Sequence, residues 1–217
     1  DHWHVPISAL ALKKNKDVCC EKPTLTIEQG RFLSNLVAGS KKLFQTSLED
    51  RAVPQYHRMA GLVRNGRIGK LQKIRVGLPG SSSHLYSYNP DPAEQPVPDY
   101  FNYEMWLGPA PYAPYTAGRC HYNFRWINDY SGGSLSDWGA HLIDTAQLLN
   151  GTEKSGPVEV SGTGSAPESG IYNAFDKYKL TYTYANGVVM DVHSDFVEIY
   201  CEGTDGWLLV KDWRGKL

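Results

Sequence analysis

Two segments near the start of the chain carry apolar residues at helical spacing, and each is followed by a short run of strand-forming residues. Helices are predicted over residues 4–14 and 26–38, the second opened by Thr26-Ile27-Glu28-Gln29, which resembles a capping box. Short strands are predicted over residues 16–20 and 42–46. Helices that alternate with short buried strands are typical of a doubly wound α/β domain, because crossover helices join its parallel strands. We therefore expect the back half of such a domain.

The pattern changes at about residue 54. A helix over residues 55–65 and a strand over 71–78 precede a segment, 79–130, that is rich in Pro, Tyr, Ser and Asn. That segment is too long for a plain connection, so we expect functional loop with short elements inside it. After a strong helix over residues 134–149, strands joined by tight turns imply an antiparallel sheet. These strands are predicted near residues 157–164, 177–185, 188–197, 199–202 and 207–211, with a hairpin turn at Asn186-Gly187.

The predicted fold class is therefore α/β followed by α+β. Residues 1–46 are assigned to the C-terminal part of a Rossmann-type nucleotide-binding domain. Residues 47–217 are assigned to an α+β domain for substrate binding and oligomerisation, with a large, mostly antiparallel sheet. A chain of 217 residues, 41% of them hydrophobic, can bury a substantial core.

Charge and apolar patterning narrow the possible partners. The 22 basic and 23 acidic residues are mixed along the chain, and the net charge of −1 predicts neither a nucleic-acid nor a membrane partner. No apolar stretch approaches about 18 residues, so we expect a soluble protein. The chain begins at Asp1, so a leader could have been removed, and cytoplasm and periplasm both stay open as compartments. The cysteines form no CxxC pair and are predicted to be buried thiols: Cys19, Cys20, Cys120 and Cys201.

The first group of candidate functional residues is Glu21-Lys22-Pro23, directly after a predicted strand. Ligands of doubly wound sheets lie outside the carboxyl ends of the strands, so Lys22 would point its ammonium group into a cofactor crevice. The alternative is a solvated surface lysine, which is the commoner fate of that residue type.

The second group lies on the predicted helix over residues 134–149. Asp137 and His141 are four residues apart, which places their side chains on one face of a helix. A carboxylate beside an imidazole fixes its tautomer and favours its protonation, as a general base requires. The alternative is a buried histidine with satisfied hydrogen bonds.

The third group gathers aromatic, His and Arg side chains in two loop segments. Flat rings with polar edges suit a nicotinamide or a sugar ring. A metal site built from His2, His4, His121 and His141 is the rival hypothesis, but their spacing matches no zinc pattern and no metal is predicted. The candidates belong to residues 1–6 and 120–127: Trp3, His4, His121, Asn123, Arg125 and Trp126.

Motifs across nearly the whole chain occur in the order found in the Gfo/Idh/MocA oxidoreductases, which the chain resembles. They are Asp1-His2-Trp3-His4, residues 17–23 with Glu-Lys-Pro, residues 62–69, Trp106-Leu107-Gly108-Pro109-Ala110-Pro111, residues 131–144 and residues 202–207. The resemblance implies a sugar or polyol dehydrogenase that uses NAD or NADP and forms a homo-oligomer through its C-terminal sheet. It also implies that Lys22, Asp137 and His141 are catalytic.

In the implied oxidation, His141 takes the hydroxyl proton, Asp137 orients His141, and Lys22 holds the reacting oxygen. The expected cofactor contacts are Trp3, His4, Glu21, Lys22, Pro23, Arg125 and Trp126. The expected substrate contacts are Lys22, His121, Asn123, Asp137 and His141.

The chain also departs from the family pattern. It contains no GxGxxG turn after an opening strand, so we expect that about 100 N-terminal residues are missing and that this fragment is inactive and does not bind a dinucleotide. Residues 46–52 differ from the commoner glycine-containing loop, which leaves their contacts open. Two other functions stay possible: an NAD-assisted glycosidase or lyase acting through a transient keto-sugar, and a non-catalytic oligomerisation module.

Overall fold

A computed structural model describes residues 1–80 and 93–217, which form two compact units. Unit 1 comprises residues 1–47, 93–137 and 167–174 of the described chain, and unit 2 comprises 48–80, 138–166 and 175–217. The helices are α1 (His4–Lys13), α2 (Ile27–Gly39), α3 (Pro54–Arg64), α4 (Tyr103–Leu107) and α5 (Gly133–Asn150), with 3₁₀ turns at Glu49–Ala52, Ala117–Arg119 and His121–Trp126. The strands are β1 (Val18–Glu21), β2 (Phe44–Ser47), β3 (Leu71–Gly77), β4 (Glu159–Ser165), β5 (Lys177–Thr183), β6 (Val189–His193), β7 (Glu198–Gly203) and β8 (Trp207–Lys211).

Unit 1 begins with the predicted helix-strand alternation. Strands β1 and β2 pair in parallel, with Val18 opposite Phe44. The helices α1 and α2 pack on a small apolar core that includes Val5, Leu12 and Leu33. Thr26 caps α2 by accepting a hydrogen bond from the Gln29 amide at 3.1 Å, as the capping-box pattern predicts.

The Pro- and Tyr-rich segment contributes short elements to unit 1. Helix α4 and two 3₁₀ turns lie within its described part. The Trp106 ring packs edge-on against Tyr130 and is stacked on Tyr103, with ring centres 4.8 and 5.8 Å apart. These aromatic contacts give a loop-rich segment a core of its own, because each ring buries a large apolar area.

Unit 2 is built on a six-stranded sheet in the order β4-β5-β6-β3-β7-β8. Among the described strands of this sheet, only the central β3–β6 pair is parallel, so the sheet is mostly antiparallel, as predicted. Alternate residues on its inner strands are fully buried, among them Ile74, Val76 and Met190. Helices α3 and α5 each bury an apolar side in the same unit, including Met59 and Leu142.

The opposite face of the sheet is charged and aromatic, and we call it the open face because Lys73 and Arg75 are 47% and 39% exposed there. Lys73 pairs with Asp191 at 2.7 Å, and the Arg75 guanidinium lies 4.7 Å from the centre of the Tyr200 ring. Trp207 on the edge strand β8 is 63% exposed.

The turn between β5 and β6 differs in detail from a two-residue Asn-Gly hairpin. The Gly187 amide donates to the Tyr184 carbonyl at 2.9 Å, and the Tyr184 amide donates to the Val188 carbonyl at 3.0 Å. Within it, Gly187 has a φ of +86°, a left-handed conformation that glycine adopts without strain. The loop therefore holds three residues, the type I turn with a glycine bulge.

The burial of the cysteines confirms part of the prediction. Cys120 and Cys201 are buried, whereas Cys19 is exposed and Cys20 is half-buried. The prediction of a buried thiol is wrong for Cys19. Neighbouring residues of β1 point to opposite sides of the strand, and the Cys19 side chain faces solvent.

The predicted boundary at residues 46/47 lies next to the point where the chain passes from unit 1 to unit 2. Residues 93–137 and 167–174, which the sequence assigned to the second domain, pack in unit 1. This division into compact units does not test the assignment of residues 47–217 to one domain, which stays a prediction. None of the helices in residues 1–80 and 93–217 combines the length and apolar character needed to cross a membrane.

Candidate active site

Lys22 and Asp137 form an ion pair in unit 1. Lys22 follows the end of β1, and Asp137 lies in the first turns of α5. The ammonium group contacts Asp137 Oδ1 and also donates to the Asp137 backbone carbonyl at 3.0 Å. The two side chains are only 11% and 15% exposed, so the pair is largely shielded from water.

Arg125 adds a second cation to this pair. Its Nε donates to Asp137 Oδ2 at 3.1 Å, while its guanidinium lies 4.5 Å from the centre of the Tyr122 ring. Each oxygen of one carboxylate is therefore bound by a different cation. The group of Lys22, Arg125 and Asp137 carries a net charge of +1, which favours an oxygen that acquires negative charge nearby.

A cavity of about 330 Å³ adjoins Lys22. Leu33, Val37 and Phe44 give it an apolar wall, and Thr24 and Thr46 supply hydroxyl groups. An apolar wall with a few polar groups suits a flat ring that carries polar substituents, so these residues fit a nicotinamide. The cavity is lined by His4, Cys20, Glu21, Lys22, Pro23, Thr24, Gly30, Leu33, Ser34, Val37, Phe44 and Thr46.

His4 is held in a single tautomer at this cavity. Its Nδ1 lies 2.7 Å from the Pro23 carbonyl, and a carbonyl can only accept, so Nδ1 carries the proton. Burial lowers the pKa of His4, although the Pro23 hydrogen bond acts in the opposite direction. The ring therefore presents Nε2 as an acceptor.

His141 lies further along α5, in unit 2, beside the acidic 3₁₀ turn Glu49–Ala52. The His141 Nδ1 is 3.8 Å from Glu49 Oε2. Partial burial raises the pKa of Glu49, but its backbone hydrogen bond and the charges of His141 and Arg214 lower it, and the net shift is downward. Glu49 is therefore a carboxylate near neutral pH.

Asp50 anchors the same turn to the end of the chain. It is 1% exposed and accepts hydrogen bonds from Arg214 at 2.6 and 2.8 Å and from the Trp213 indole at 2.9 Å. Arg51 donates twice to Asp144 of α5, both at 2.6 Å. These contacts fix the position of the turn that carries Glu49.

Glu49, Asp50 and His141 offer ligand atoms within 4.8 Å of one another, the one such grouping among the described residues. Arg214 already binds both carboxylates, and its fixed positive charge repels a metal ion at this position. The grouping also differs from the rival four-histidine hypothesis, since His2, His4 and His121 belong to unit 1.

Several residues of the third candidate group serve the structure of unit 1. Trp126 is 2% exposed, so its ring offers no free face to a cofactor. Its backbone carbonyl accepts hydrogen bonds from the Asn173 and Ala174 amides. The Trp3 indole donates to the carbonyls of Met105 and Trp106, both at 3.1 Å.

The other members of that group lie nearer the surface. His121 is exposed and stacks on Phe101, with ring centres 6.1 Å apart, while Asn123 is half-buried in the same 3₁₀ turn. Arg125 binds Asp137, and its role as a cofactor contact stays a prediction.

The sequence motifs do not point to Glu49 or Arg214 as functional residues. The acidic pair Glu49-Asp50 lies in the loop that departs from the family pattern, and this departure was the available signal. Arg214 gave none, because it lies 164 residues from Asp50 in the sequence.

Comparison with known proteins places this geometry in context. Residues 56–216 match the Gfo/Idh/MocA family model described as oxidoreductase family, C-terminal alpha/beta domain. No curated protein matches the chain.

Solved structures share the fold. An oxidoreductase from Thermotoga maritima is 21% identical, with a TM-score of 0.68 over 95% of this chain and 55% of its own. Levoglucosan dehydrogenase in complex with NADH and L-sorbose is 19% identical, with a TM-score of 0.67 over 96% of this chain and 51% of its own. A putative myo-inositol dehydrogenase from Sinorhizobium meliloti 1021 is 17% identical, with a TM-score of 0.61 over 96% and 54%. The chain therefore spans about half the length of these structures.

Proposed function

Because the chain belongs to the Gfo/Idh/MocA oxidoreductase family, we propose that it supplies the catalytic residues of an NAD- or NADP-dependent dehydrogenase of a sugar or polyol. The observation that carries the proposal is the shielded group of Lys22, Asp137 and Arg125 beside a cavity that suits a nicotinamide. The names of two structural neighbours, levoglucosan dehydrogenase and a putative myo-inositol dehydrogenase, support a substrate with many hydroxyl groups.

The proposal concerns a longer protein, since the chain spans about half of its structural neighbours. A glycine-rich turn at a helix N-terminus normally binds the pyrophosphate of a dinucleotide, and this chain has no GxGxxG sequence. We propose that residues preceding Asp1 supply it, and that the 217 residues alone bind NAD(H) too weakly to detect.

The residues have distinct roles in the proposed oxidation. A nicotinamide bound beside Lys22 would supply the acceptor for the hydride that leaves the substrate carbon. Lys22 holds the substrate oxygen and stabilises the negative charge that develops as its proton leaves. Asp137 keeps Lys22 in place and moderates its charge, and His141 accepts the hydroxyl proton.

The cofactor contacts that the structure supports best are those at the cavity beside Lys22. His4 presents Nε2 there, and the Glu21-Lys22-Pro23 turn forms part of the lining. Trp126 is removed from the proposed contacts because its ring is buried. His121 and Asn123 stay proposed substrate contacts.

We also propose that the protein forms a homo-oligomer through the open face of the unit 2 sheet. Its aromatic side chains leave apolar area in water, with Trp207 63% exposed, and a second copy of the same face would cover that area.

The test is an assay of the full-length enzyme, meaning this chain preceded by a complete nucleotide-binding segment. Free sugars and polyols and their glycosides are each incubated with NAD or NADP. Net formation of NADH or NADPH with a free sugar supports the dehydrogenase. Cleavage of a glycoside without net NADH would instead establish the lyase, and no cofactor binding at all would leave an oligomerisation module. Calorimetry of the 217-residue chain is the control, in which tight NAD(H) binding would contradict the need for an upstream segment.

A further inference from the structure

The imidazole of His141 has one ring nitrogen whose environment is incomplete. Nδ1 is buried and has no hydrogen-bond partner among the described residues, and the whole side chain is only 11% exposed. A buried polar atom without a partner costs free energy, so a partner within reach is expected.

Glu49 is the carboxylate within that reach. Its Oε2 lies 3.8 Å from His141 Nδ1, while its Oε1 accepts a hydrogen bond from Arg214 at 3.0 Å. The Glu49 side chain is 53% exposed, so a small rotation is free to shorten the first distance to a hydrogen bond. Catalytic hydrogen bonds are often long in the absence of substrate and tighten when it binds.

The other acidic groups near these residues are already engaged. Both oxygens of Asp50 are bound by Arg214 and Trp213, and both oxygens of Asp144 are bound by Arg51. In unit 1, the two oxygens of Asp137 are bound by Lys22 and Arg125. Among the described residues, Glu49 is left as the carboxylate that can accept a hydrogen bond from Nδ1.

The turn that carries Glu49 is held in position by its neighbours. Arg51 joins it to Asp144, which lies three residues beyond His141 on α5, and Asp50 joins it to Arg214. A partner on a fixed turn can set the orientation of an imidazole, because rigid supporting contacts limit its movement.

We propose that Glu49 is the positioning residue of His141: it accepts the Nδ1–H and thereby leaves Nε2 as the proton acceptor. The proposal rests on the dehydrogenase function proposed above and transfers the orienting role from Asp137 to Glu49. As the substrate is oxidised, the hydroxyl proton would pass to Nε2 and the Nδ1 proton would stay on the ring, while a bound nicotinamide would supply the hydride acceptor. Glu49 stabilises the resulting imidazolium by its charge and is not itself protonated.

The first test is structural and needs no turnover. In the full-length protein labelled with ¹⁵N-histidine, the ring signals of His141 are assigned by their loss in His141→Gln. We expect the Nδ1–H tautomer in the parent and a mixture of tautomers, or the Nε2–H form, in Glu49→Ala. An Nε2–H form in the parent, or an unchanged tautomer in Glu49→Ala, would overturn the pairing.

The second test is kinetic. Glu49→Gln keeps an acceptor oxygen and loses the charge, whereas Glu49→Ala loses both, so kcat should fall by about tenfold in the first and further in the second. KM for the sugar should stay within about twofold, because Glu49 acts through His141. The matched control is Glu153→Gln, which removes a charge that pairs with Arg64 in the same unit and should leave kcat unchanged.

The two tests separate the possible failures. A parental Nδ1–H tautomer that depends on Glu49, in a protein that oxidises no sugar, supports the pairing and counts against the dehydrogenase. Turnover of a sugar with kcat unaffected in Glu49→Ala supports the dehydrogenase and overturns the role of Glu49.

Discussion

Lys22 and Asp137 are 115 residues apart in the sequence and form an ion pair between ammonium and carboxylate. Both side chains are largely buried. Arg125 binds the second oxygen of the same carboxylate. The three residues therefore depend on one another, and each substitution should fail in its own way.

Lys22→Met is expected to reduce turnover strongly and stability modestly. Loss of the ammonium removes the group that stabilises the reacting oxygen, so kcat of the full-length enzyme should fall by about 10²-fold. Asp137 keeps Arg125 as a partner, so the free energy of unfolding should fall by about 1–2 kcal/mol, less than the 3–5 kcal/mol expected when a buried charge loses its only partner. Enzyme assays and urea unfolding check both values, with the exposed Lys13→Met as control. Activity within twofold of the parent would show that Lys22 has no catalytic role.

Asp137→Asn should destabilise the fold more than Lys22→Met does. The substitution leaves two shielded cations without the carboxylate that lies between them, so their mutual repulsion is no longer offset. We expect a loss of about 3 kcal/mol or more in urea unfolding, together with weaker substrate binding. Equal losses in the two variants would mean that Arg125 does not share in the pairing.

Protonation of His4 should lower the free energy of unfolding in mildly acidic solution. Burial places its pKa in the folded chain below the ordinary value of 6.5, so the folded state takes up a proton less readily than the unfolded state. The contribution is present above pH 6.5 and is lost as the pH falls through the lowered pKa. His4→Asn retains a donor for the Pro23 carbonyl and removes the titration. The slope of unfolding free energy against pH below 6.5 should therefore be smaller in this variant.

The matched control is His57→Asn, which alters an exposed histidine and should leave the slope as it is in the parent. A parental slope in His4→Asn would assign the acid sensitivity to other groups.

Trp207→Asp tests the proposed oligomer. A carboxylate at a position 63% exposed on the open sheet face should disturb the monomer little but should repel a second copy. We expect light scattering to give the mass of a monomer in place of that of the parental oligomer. The control is Tyr112→Asp, at a position 83% exposed in unit 1, which should keep the parental mass. A parental mass in Trp207→Asp would place the interface elsewhere.

Local sequence was sufficient to predict most of the helices and strands and to recognise the motifs of the family. The cap at Thr26 and the antiparallel sheet follow from residue types within a few positions of each other. Lys22 could be chosen because its motif directly follows a strand, and Asp137 and His141 because helical spacing groups them. Such signals act over short sequence distances, where backbone geometry alone decides which side chains are neighbours.

Only the tertiary structure decided which partner each polar group has. Asp50 with Arg214, and Glu49 beside His141, join residues 164 and 92 positions apart. Trp126 and Cys19 show the same limit for burial, since a tryptophan in a loop is nearly inaccessible and a cysteine in a strand is exposed. The physical reason is that periodicity reports which side of an element is apolar, whereas an ion pair or a buried ring depends on what another part of the chain brings against it.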